Sequence, residues 1–540
     1  MKYPIGMQSF SQIREDGFVY VDKTDLIYRL VKEGKIYFLS RPRRFGKSLL
    51  VSTLECYFRG RKELFEGLAI AELEKEWNEH PVFRVDFNGG DYMQDGNLGK
   101  KIEGYLLTWE DEYGRNPNYS TVDDRFRELL RRAAERTGRR AVVLIDEYDK
   151  PILDVLDTGA CTRNAEGEKV LLEERHRDIL KAFYSTFKSA DEYLQFVLLT
   201  GVTKFSQVSV FSGFNQPKDI SMDNRYEALC GITEEEMREY FAEPVATLAR
   251  REERTQEEMW DVLRRHYDGY HFGTAMTDIY NPFSILNALD KQEIRDYWFA
   301  SGTPTYLIRL LNHSNEQINE LTGKFYEPAM FVDYKADVER PLPMIYQSGY
   351  LTIKEYERMT GSFLLDFPNN EVRKGFLPLL AANYLKPTSR DVGSWILDAI
   401  HQLMRGKTES FRDSLTAFLS SIPYDSHPSL QGMERMEKHF QYTFYLLLRL
   451  LGVYCLSIHC EETQSRGRVD CILEMEKYVY IFEFKLDKSA EEALQQIRER
   501  GYAKPYLMDR RQVICIGVNF SSETRTVSGW EEEWMEPNHR

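Results

Sequence analysis

The stretch Arg41-Pro42-Arg43-Arg44-Phe45-Gly46-Lys47-Ser48 carries residue types that can hold a phosphate chain. A glycine lets main-chain amides curl around anionic oxygens. The next residue, Lys47, would place a cation on the terminal phosphates, and the Ser48 hydroxyl would ligate magnesium. Arg43, Arg44, Phe45, Gly46, Lys47, Ser48 and Leu49 are the candidate nucleotide contacts. The usual motif starts with Gly where this chain has Arg41, and Gly-Lys-Ser by itself arises often by chance. A second group supports it. Val142-Val143-Leu144-Ile145-Asp146-Glu147 is an apolar run ending in two carboxylates. Asp146 would hold the magnesium through water, and Glu147 would orient or deprotonate the attacking water. A plain strand leaving into an acidic loop is the bland alternative. Thr200, after Phe196-Val197-Leu198-Leu199, could sense the terminal phosphate or be an ordinary strand-end hydroxyl.

Another constellation lies near the C-terminus. Asp470 sits in Gly467-Arg468-Val469-Asp470-Cys471-Ile472-Leu473, and Glu483-Phe484-Lys485 ends the run that starts at Tyr478. Glu483 and Lys485 are two apart in a strand-like run, so they share a face. If Glu476-Lys477 form a two-residue turn, Met475 pairs with Tyr478 and Asp470 falls opposite Glu483. Paired residues have Cβ atoms roughly 5 Å apart. Two carboxylates at that spacing suit a shared divalent cation that polarises a phosphodiester and activates water. Lys485 would position or activate that water. A salt-bridged edge hairpin is the competing reading. Glu437 on the preceding helix could add a carboxylate. Ser489-Ala490-Glu491-Glu492 is a capping box opening a helix that presents Gln495.

These groups need positioning elements. Ile36-Tyr37-Phe38-Leu39, Pro81 to Phe87, Ala141 to Ile145 and Phe196 to Leu199 read as strands, with helices between them, including Lys47 to about Phe58. Alternating strands and helices imply a parallel sheet. Beyond Thr233 the pattern turns helical and charged, and Asn281-Pro282-Phe283 opens a further helix. Tyr350-Leu351-Thr352-Ile353 is a short strand-like run. The last stretch reads as helix, three strands, helix, strand. The expected organisation is α/β. A P-loop NTPase parallel sheet with flanking helices covers 1–235. A helical lid covers 236–342, and a mixed winged-helix-like and helical connector covers 343–430. A small C-terminal α/β domain, which resembles restriction-endonuclease-like folds, covers 431–525, with an acidic, solvated tail over 526–540.

The net charge of −15 argues against a surface that coats nucleic acid non-specifically, though not against a local groove. No stretch approaches the roughly 20 apolar residues of a membrane span. The seven cysteines are scattered and form no Cys-x-x-Cys pair. A cytoplasmic chain without a zinc site or disulfide framework is expected.

Together the motifs resemble a bacterial family that joins an AAA-ATPase-like domain to a C-terminal PD-(D/E)XK nuclease-superfamily domain. The resemblance rests on Arg41 to Ser48, Ile145-Asp-Glu-Tyr-Asp149, Thr200-Gly-Val-Thr-Lys204, Phe211-Ser-Gly-Phe-Asn215 and Tyr267-Asp-Gly-Tyr270. It also rests on Asn281-Pro-Phe-Ser284, Gly349-Tyr-Leu-Thr-Ile353, Gly467-Arg-Val-Asp470, Glu483-Phe-Lys485 and Ala493-Leu-Gln-Gln-Ile497. An Arg-rich loop without a leading Gly is typical of that family. The resemblance implies ATP binding and a nuclease-type site. The expected activity is an ATPase coupled to a metal-dependent nuclease. Its cofactors would be ATP and magnesium, with manganese as an alternative. Nucleic acid is the expected partner, DNA ahead of RNA, and self-association stays open. The alternative is a nucleotide-dependent switch whose nuclease-like domain binds nucleic acid or protein without cutting.

Overall fold

The computed structural model describes residues 1–163, 167–205, 217–300, 306–307, 321–332, 341–385, 392–420, 447–448, 451, 457–464, 467–508 and 510–535. They divide into two compact units, 1–372 and 373–540. The expected boundaries at 235 and 342 fall inside the first. The 430 boundary, Glu437 and Phe211 to Asn215 lie outside the described residues.

The first unit is built on strands β1 (Ile36–Ser40), β2 (Val82–Asp86), β3 (Ala141–Asp146), β4 (Leu194–Gly201) and β5 (Lys218–Asp219). All pairings are parallel, in the order β2-β3-β4-β1-β5. Every residue of β3 is buried, as expected of a strand covered by helices on both faces. Those helices include α1 (Lys47–Phe58), α2 (Asn97–Tyr113), α3 (Val122–Thr137), α4 (Lys150–Leu153) and α5 (Leu172–Ser189). The short β5 had no periodic signal in the sequence. The register sets Asp86 beside Asp146, Ile145 beside Leu199, and Ser40 beside Gly201. The carboxyl ends of four strands therefore meet at one edge, where ligands of such sheets bind.

Helices α6 (Glu234–Arg251) and α7 (Gln256–Tyr267) open with capping boxes at Thr233 and Thr255. They pack Met237, Phe241, Trp260 and Leu263 against Ile285 and Leu289 of α8 (Pro282–Lys291), which Asn281 caps. A four-residue helix, α9 (Tyr297–Ala300), follows. The middle region also holds a small antiparallel sheet. Its strands are β6 (Lys324–Tyr326), β7 (Thr352–Glu357) and β8 (Ser362–Asp366), with α10 (Leu342–Gln347) before the β7–β8 hairpin. Helix α11 (Asn370–Leu385) begins in the first unit and continues into the second.

The second unit contains α12 (Val392–Met404), α13 (Thr408–Ser420) and a five-stranded sheet. The strands, in spatial order, are β9 (Ser457–Gln464), β10 (Gly467–Glu474), β11 (Tyr478–Leu486), β12 (Gln512–Phe520) and β13 (Val527–Met535). Only β11 and β12 run parallel, linked through α14 (Ala490–Arg500). The period of two splits β11 cleanly. Val479 and Ile481 pack with Leu494 and Ile497 of α14, whereas Phe482 meets Phe411 of α13. A Cβ at Gly517 would lie 2.1 Å from the Ala490 carbonyl oxygen and 2.6 Å from the Leu494 nitrogen, so α14 seats directly on bare backbone.

One expectation is corrected here. Residues 527–535 are not a solvated acidic tail but the edge strand β13, in register with β12. Gly529, Trp530 and Met535 are half-buried among the glutamates, and this apolar content lets the segment complete the sheet.

Candidate functional site: a phosphate loop and a carboxylate hairpin

Gly46 takes φ 95°, a conformation that favours glycine, and caps α1 directly before Lys47. The preceding Arg41 turns inward and is 1% exposed. Its guanidinium donates to the carbonyls of Ser40 (2.9 Å), Ser221 (2.7 Å) and Tyr226 (3.2 Å) and lies 4.1 Å from the Phe272 ring centroid. In place of a leading glycine, the loop is thus anchored at its base by a buried cation. That role depends on residues about 180 positions away in the chain and has no local sequence signal.

The Lys47 ammonium donates to the main-chain carbonyls of Arg41 (2.9 Å) and Pro42 (3.0 Å). Burial pulls its pKa below the usual lysine range, while Glu147, Asp146 and Asp149 oppose that shift. Asp146 is 2% exposed and accepts a 2.7 Å bond from the Thr200 hydroxyl. Thr200 therefore holds Asp146, and it is fully buried. Glu147 takes φ 52°, and burial pushes its carboxyl upward. Asp149 accepts from the Val202 and Thr203 amides and the Thr203 hydroxyl at 2.6 to 2.9 Å, tying the end of β3 to the end of β4.

A cavity of about 340 Å³ opens over this edge. Arg43, Arg44, Gly46, Lys47, Ser48, Leu49 and Glu147 line it, as the sequence reading brought them together. Asp146 and Thr200 lie behind its wall. Phe45 faces a second, apolar cavity of about 100 Å³, bounded by Val19, Val21, Ile27 and Ile232 and sharing Gly46 and Leu49 with the first. Sequence reasoning missed Pro4 to Gln8, Asn88 and Lys150, which also line the larger cavity. No motif marks the first segment. Lys150 directly follows the quoted Asp146 to Asp149 run and was within reach.

The middle region reaches this loop. The Trp298 indole N–H donates to the Arg43 carbonyl at 3.2 Å, and its main-chain N–H donates to Glu371 at 2.6 Å. Glu371 is 1% exposed, and burial pushes its carboxyl up to about 8. Gly349, at φ 88°, lets the chain pass Pro42, where an added Cβ would come within 2.6 Å. Gln347 accepts the Lys204 amide at 2.8 Å.

In the second unit, the Met475 amide donates to the Tyr478 carbonyl at 2.8 Å, and β10 pairs with β11 from Glu474↔Val479 to Cys471↔Phe482. Asp470 and Glu483 are the residues directly beyond the last of these pairs, and their carboxyls are close enough to repel one another. Asp470 accepts the Phe484 amide at 2.8 Å. Glu483 is 2% exposed, and its Oε2 has no hydrogen-bond partner. Burial first, then the neighbouring Asp470, push its carboxyl up to about 7, against the pull of Lys485. The Lys485 ammonium donates to Glu483 at 3.3 Å and to the Gln496 side-chain oxygen at 2.7 Å.

Gln496, not Gln495, enters this site. Its amide nitrogen donates to Glu483, whereas Gln495 is exposed and donates to Glu499 at 2.7 Å. The reason is helical phase. The buried stripe Ala490, Ala493, Leu494 and Ile497 sets Gln496 on its flank and Gln495 on the far side. That stripe was present in the sequence and could have made the choice. Ser489 caps the helix by accepting the Glu492 amide at 3.1 Å.

Among the described residues no helix is long and apolar enough to cross a membrane. Residues 4–211 match a family model described as "Predicted AAA-ATPase", and residues 435–530 match one for the PD-(D/E)XK nuclease superfamily. The chain is 36% identical to an "Uncharacterized protein in vnfD 5'region" of Azotobacter chroococcum mcd 1, covering 98% of this chain and 99% of that one. With both domains matched in this order and a relative aligned along nearly its whole length, the chain belongs to the family that joins an AAA-ATPase-like domain to a C-terminal PD-(D/E)XK nuclease-superfamily domain.

Proposed function

We propose that this chain binds and hydrolyses ATP and couples that cycle to a metal-dependent nuclease acting on nucleic acid, DNA ahead of RNA, in the cytoplasm. The orphaned, buried Oε2 of Glu483 beside Asp470 carries the nuclease half. A buried carboxylate oxygen without a partner is costly, and a divalent cation relieves that cost. Among the described residues no cluster of three or more His, Cys, Asp or Glu side chains could hold a metal. Two carboxylates fit magnesium or manganese, which keep waters and take substrate phosphate as further ligands. Such a cation supplies charge stabilisation at a phosphodiester. Asp470 and Glu483 would hold it, Lys485 would position the attacking water, and Gln496 would keep Glu483 and Lys485 in place.

In the first unit, Lys47 would leave its main-chain carbonyls for the terminal phosphates. Ser48, with Asp146 through water, would hold magnesium in the manner of a Walker A and B pair. Glu147 would take a proton from the attacking water, its raised affinity for protons suiting that role. The apolar cavity beside Phe45 would receive the base.

The test is cleavage of single- and double-stranded DNA and RNA, with and without ATP and with magnesium or manganese, by wild type, Lys47→Ala and Asp470→Ala. Loss of cutting in Asp470→Ala and loss of ATP dependence in Lys47→Ala are expected. Undiminished cutting by Asp470→Ala would sink the assignment. Nucleotide-dependent binding with no cleavage of any substrate would select the switch reading.

A further inference from the structure

The cavity over the phosphate loop has two walls. One is the loop itself, leaving β1 with Arg43, Arg44 and Lys47. The other leaves the ends of β2 and β3 with Asn88, Glu147 and Lys150. Strand β4 lies between β1 and β3 in the sheet, so the ends of β1 and β3 from which the walls leave are two strand spacings, about 10 Å, apart. Glu147 lines the cavity across from the loop, where the terminal group of a phosphate chain held by the loop would lie.

The cations of the first wall already have seats. Lys47 rests on loop carbonyls, the Arg43 guanidinium lies 5.8 Å from the Tyr306 ring centroid, and that of Arg44 lies 4.9 Å from the Phe283 ring centroid. Lys150 is the cation that lines the second wall. Its backbone is well fixed, because it starts α4 directly after Asp149, which the Val202 and Thr203 amides clamp. Its ammonium meets Asp154 one helical turn on, and both side chains remain about a quarter exposed. Solvent reaches both ends of this pair and screens it in part, so the ammonium can exchange Asp154 for a more highly charged phosphate.

We propose that Lys150 is a catalytic residue of ATP hydrolysis, donating to the terminal phosphoryl oxygens from the wall opposite Lys47. The inference rests on the hydrolysis reading above. Water attacks the terminal phosphorus as the bond from that phosphorus to the bridging oxygen of the β-phosphate breaks. The water proton passes to the Glu147 carboxylate, and ADP and inorganic phosphate leave. Negative charge shifts onto the oxygens between the walls during this step, and a cation brought there lowers the barrier. An oligomeric ATPase can receive such a cation from a neighbouring subunit. Here the chain carries one of its own.

The experiment measures single-turnover ATP hydrolysis and calorimetric ATP binding for the full-length wild type, Lys150→Met, Lys150→Arg and Asp154→Asn. The expected result for Lys150→Met is a loss of about 10²-fold in rate with ATP affinity within about threefold of wild type. Lys150→Arg should recover part of that loss, which shows that the fold of the methionine variant is not the cause. Asp154→Asn breaks the ion pair and should hydrolyse within about threefold of wild type. A Lys150→Met rate close to wild type would overturn the proposal. So would an Asp154→Asn loss matching that of Lys150→Met, because the lysine would then act only through the ion pair. Wild type that binds ATP and never turns it over would sink the hydrolysis reading itself, and absence of binding would sink the nucleotide site.

Discussion

The two candidate sites treat buried charge in opposite ways. In the first unit Lys47 sits on loop carbonyls, Asp146 on Thr200, Asp149 on two amides and Glu371 on Trp298. In the second, Glu483 is packed against Asp470, and one of its oxygens has no hydrogen-bond partner. A site of the first kind holds its shape while empty, and a ligand must exchange its bonds for existing ones. A site of the second kind carries an unmet demand, and a cation adds stability on binding. Under the proposed function, the first site would be formed before nucleotide arrives and the second would be completed by metal.

The largest test of that contrast concerns Glu371. Its folded-state pKa of about 8 lies above the ordinary 4.5. Between those values the unfolded chain releases a proton that the folded chain keeps, so stability falls as pH rises through that window and levels off above it. Urea titrations of wild type and Glu371→Gln should differ by on the order of 4 kcal/mol in how much stability the first unit loses between about pH 4.5 and 8. Parallel curves would show that this carboxyl is not stored neutral.

Lys47→Ala comes next. Removing a charged donor should weaken ATP binding about 10²-fold, ~3 kcal/mol, by calorimetry. Asp470→Ala should leave that affinity alone, and a shared loss would contradict two independent sites. A smaller effect distinguishes adjacent glutamines. Gln496→Ala should slow cleavage about tenfold, while Gln495→Ala stays within about twofold. Reversed results would return the site to Gln495. Smallest is Trp298→Phe, which removes one neutral hydrogen bond to Arg43 and should raise the KM for ATP about fivefold, ~1 kcal/mol.

What the amino-acid order disclosed follows from the range of the interactions. Helix α1 starts at Lys47 and ends at Phe58, where the spacing and Gly60 place it, because caps and periodicity are local. The closeness of Asp470 to Glu483 was readable for a similar reason, since a two-residue turn sets the register of its hairpin. Gln496 required the phase of a helix against a sheet, and the apolar stripe that decides it is present but must be weighed. Arg41, Trp298 and the Pro4 to Gln8 wall depend on partners far away in the chain, and β13 on an acidic segment whose apolar residues matter only beside β12. Those features follow from tertiary packing, which no window of sequence reports.

Gly517 lies under α14, where the helix meets backbone with no intervening methyl group. The same helix holds Gln496 against Glu483 and Lys485. The height of the active groups is therefore set from beneath, by a residue that touches no reacting atom. A single alanine there would press its methyl group on the Ala490 carbonyl oxygen and the Leu494 nitrogen, so α14 would have to shift and carry Gln496 with it.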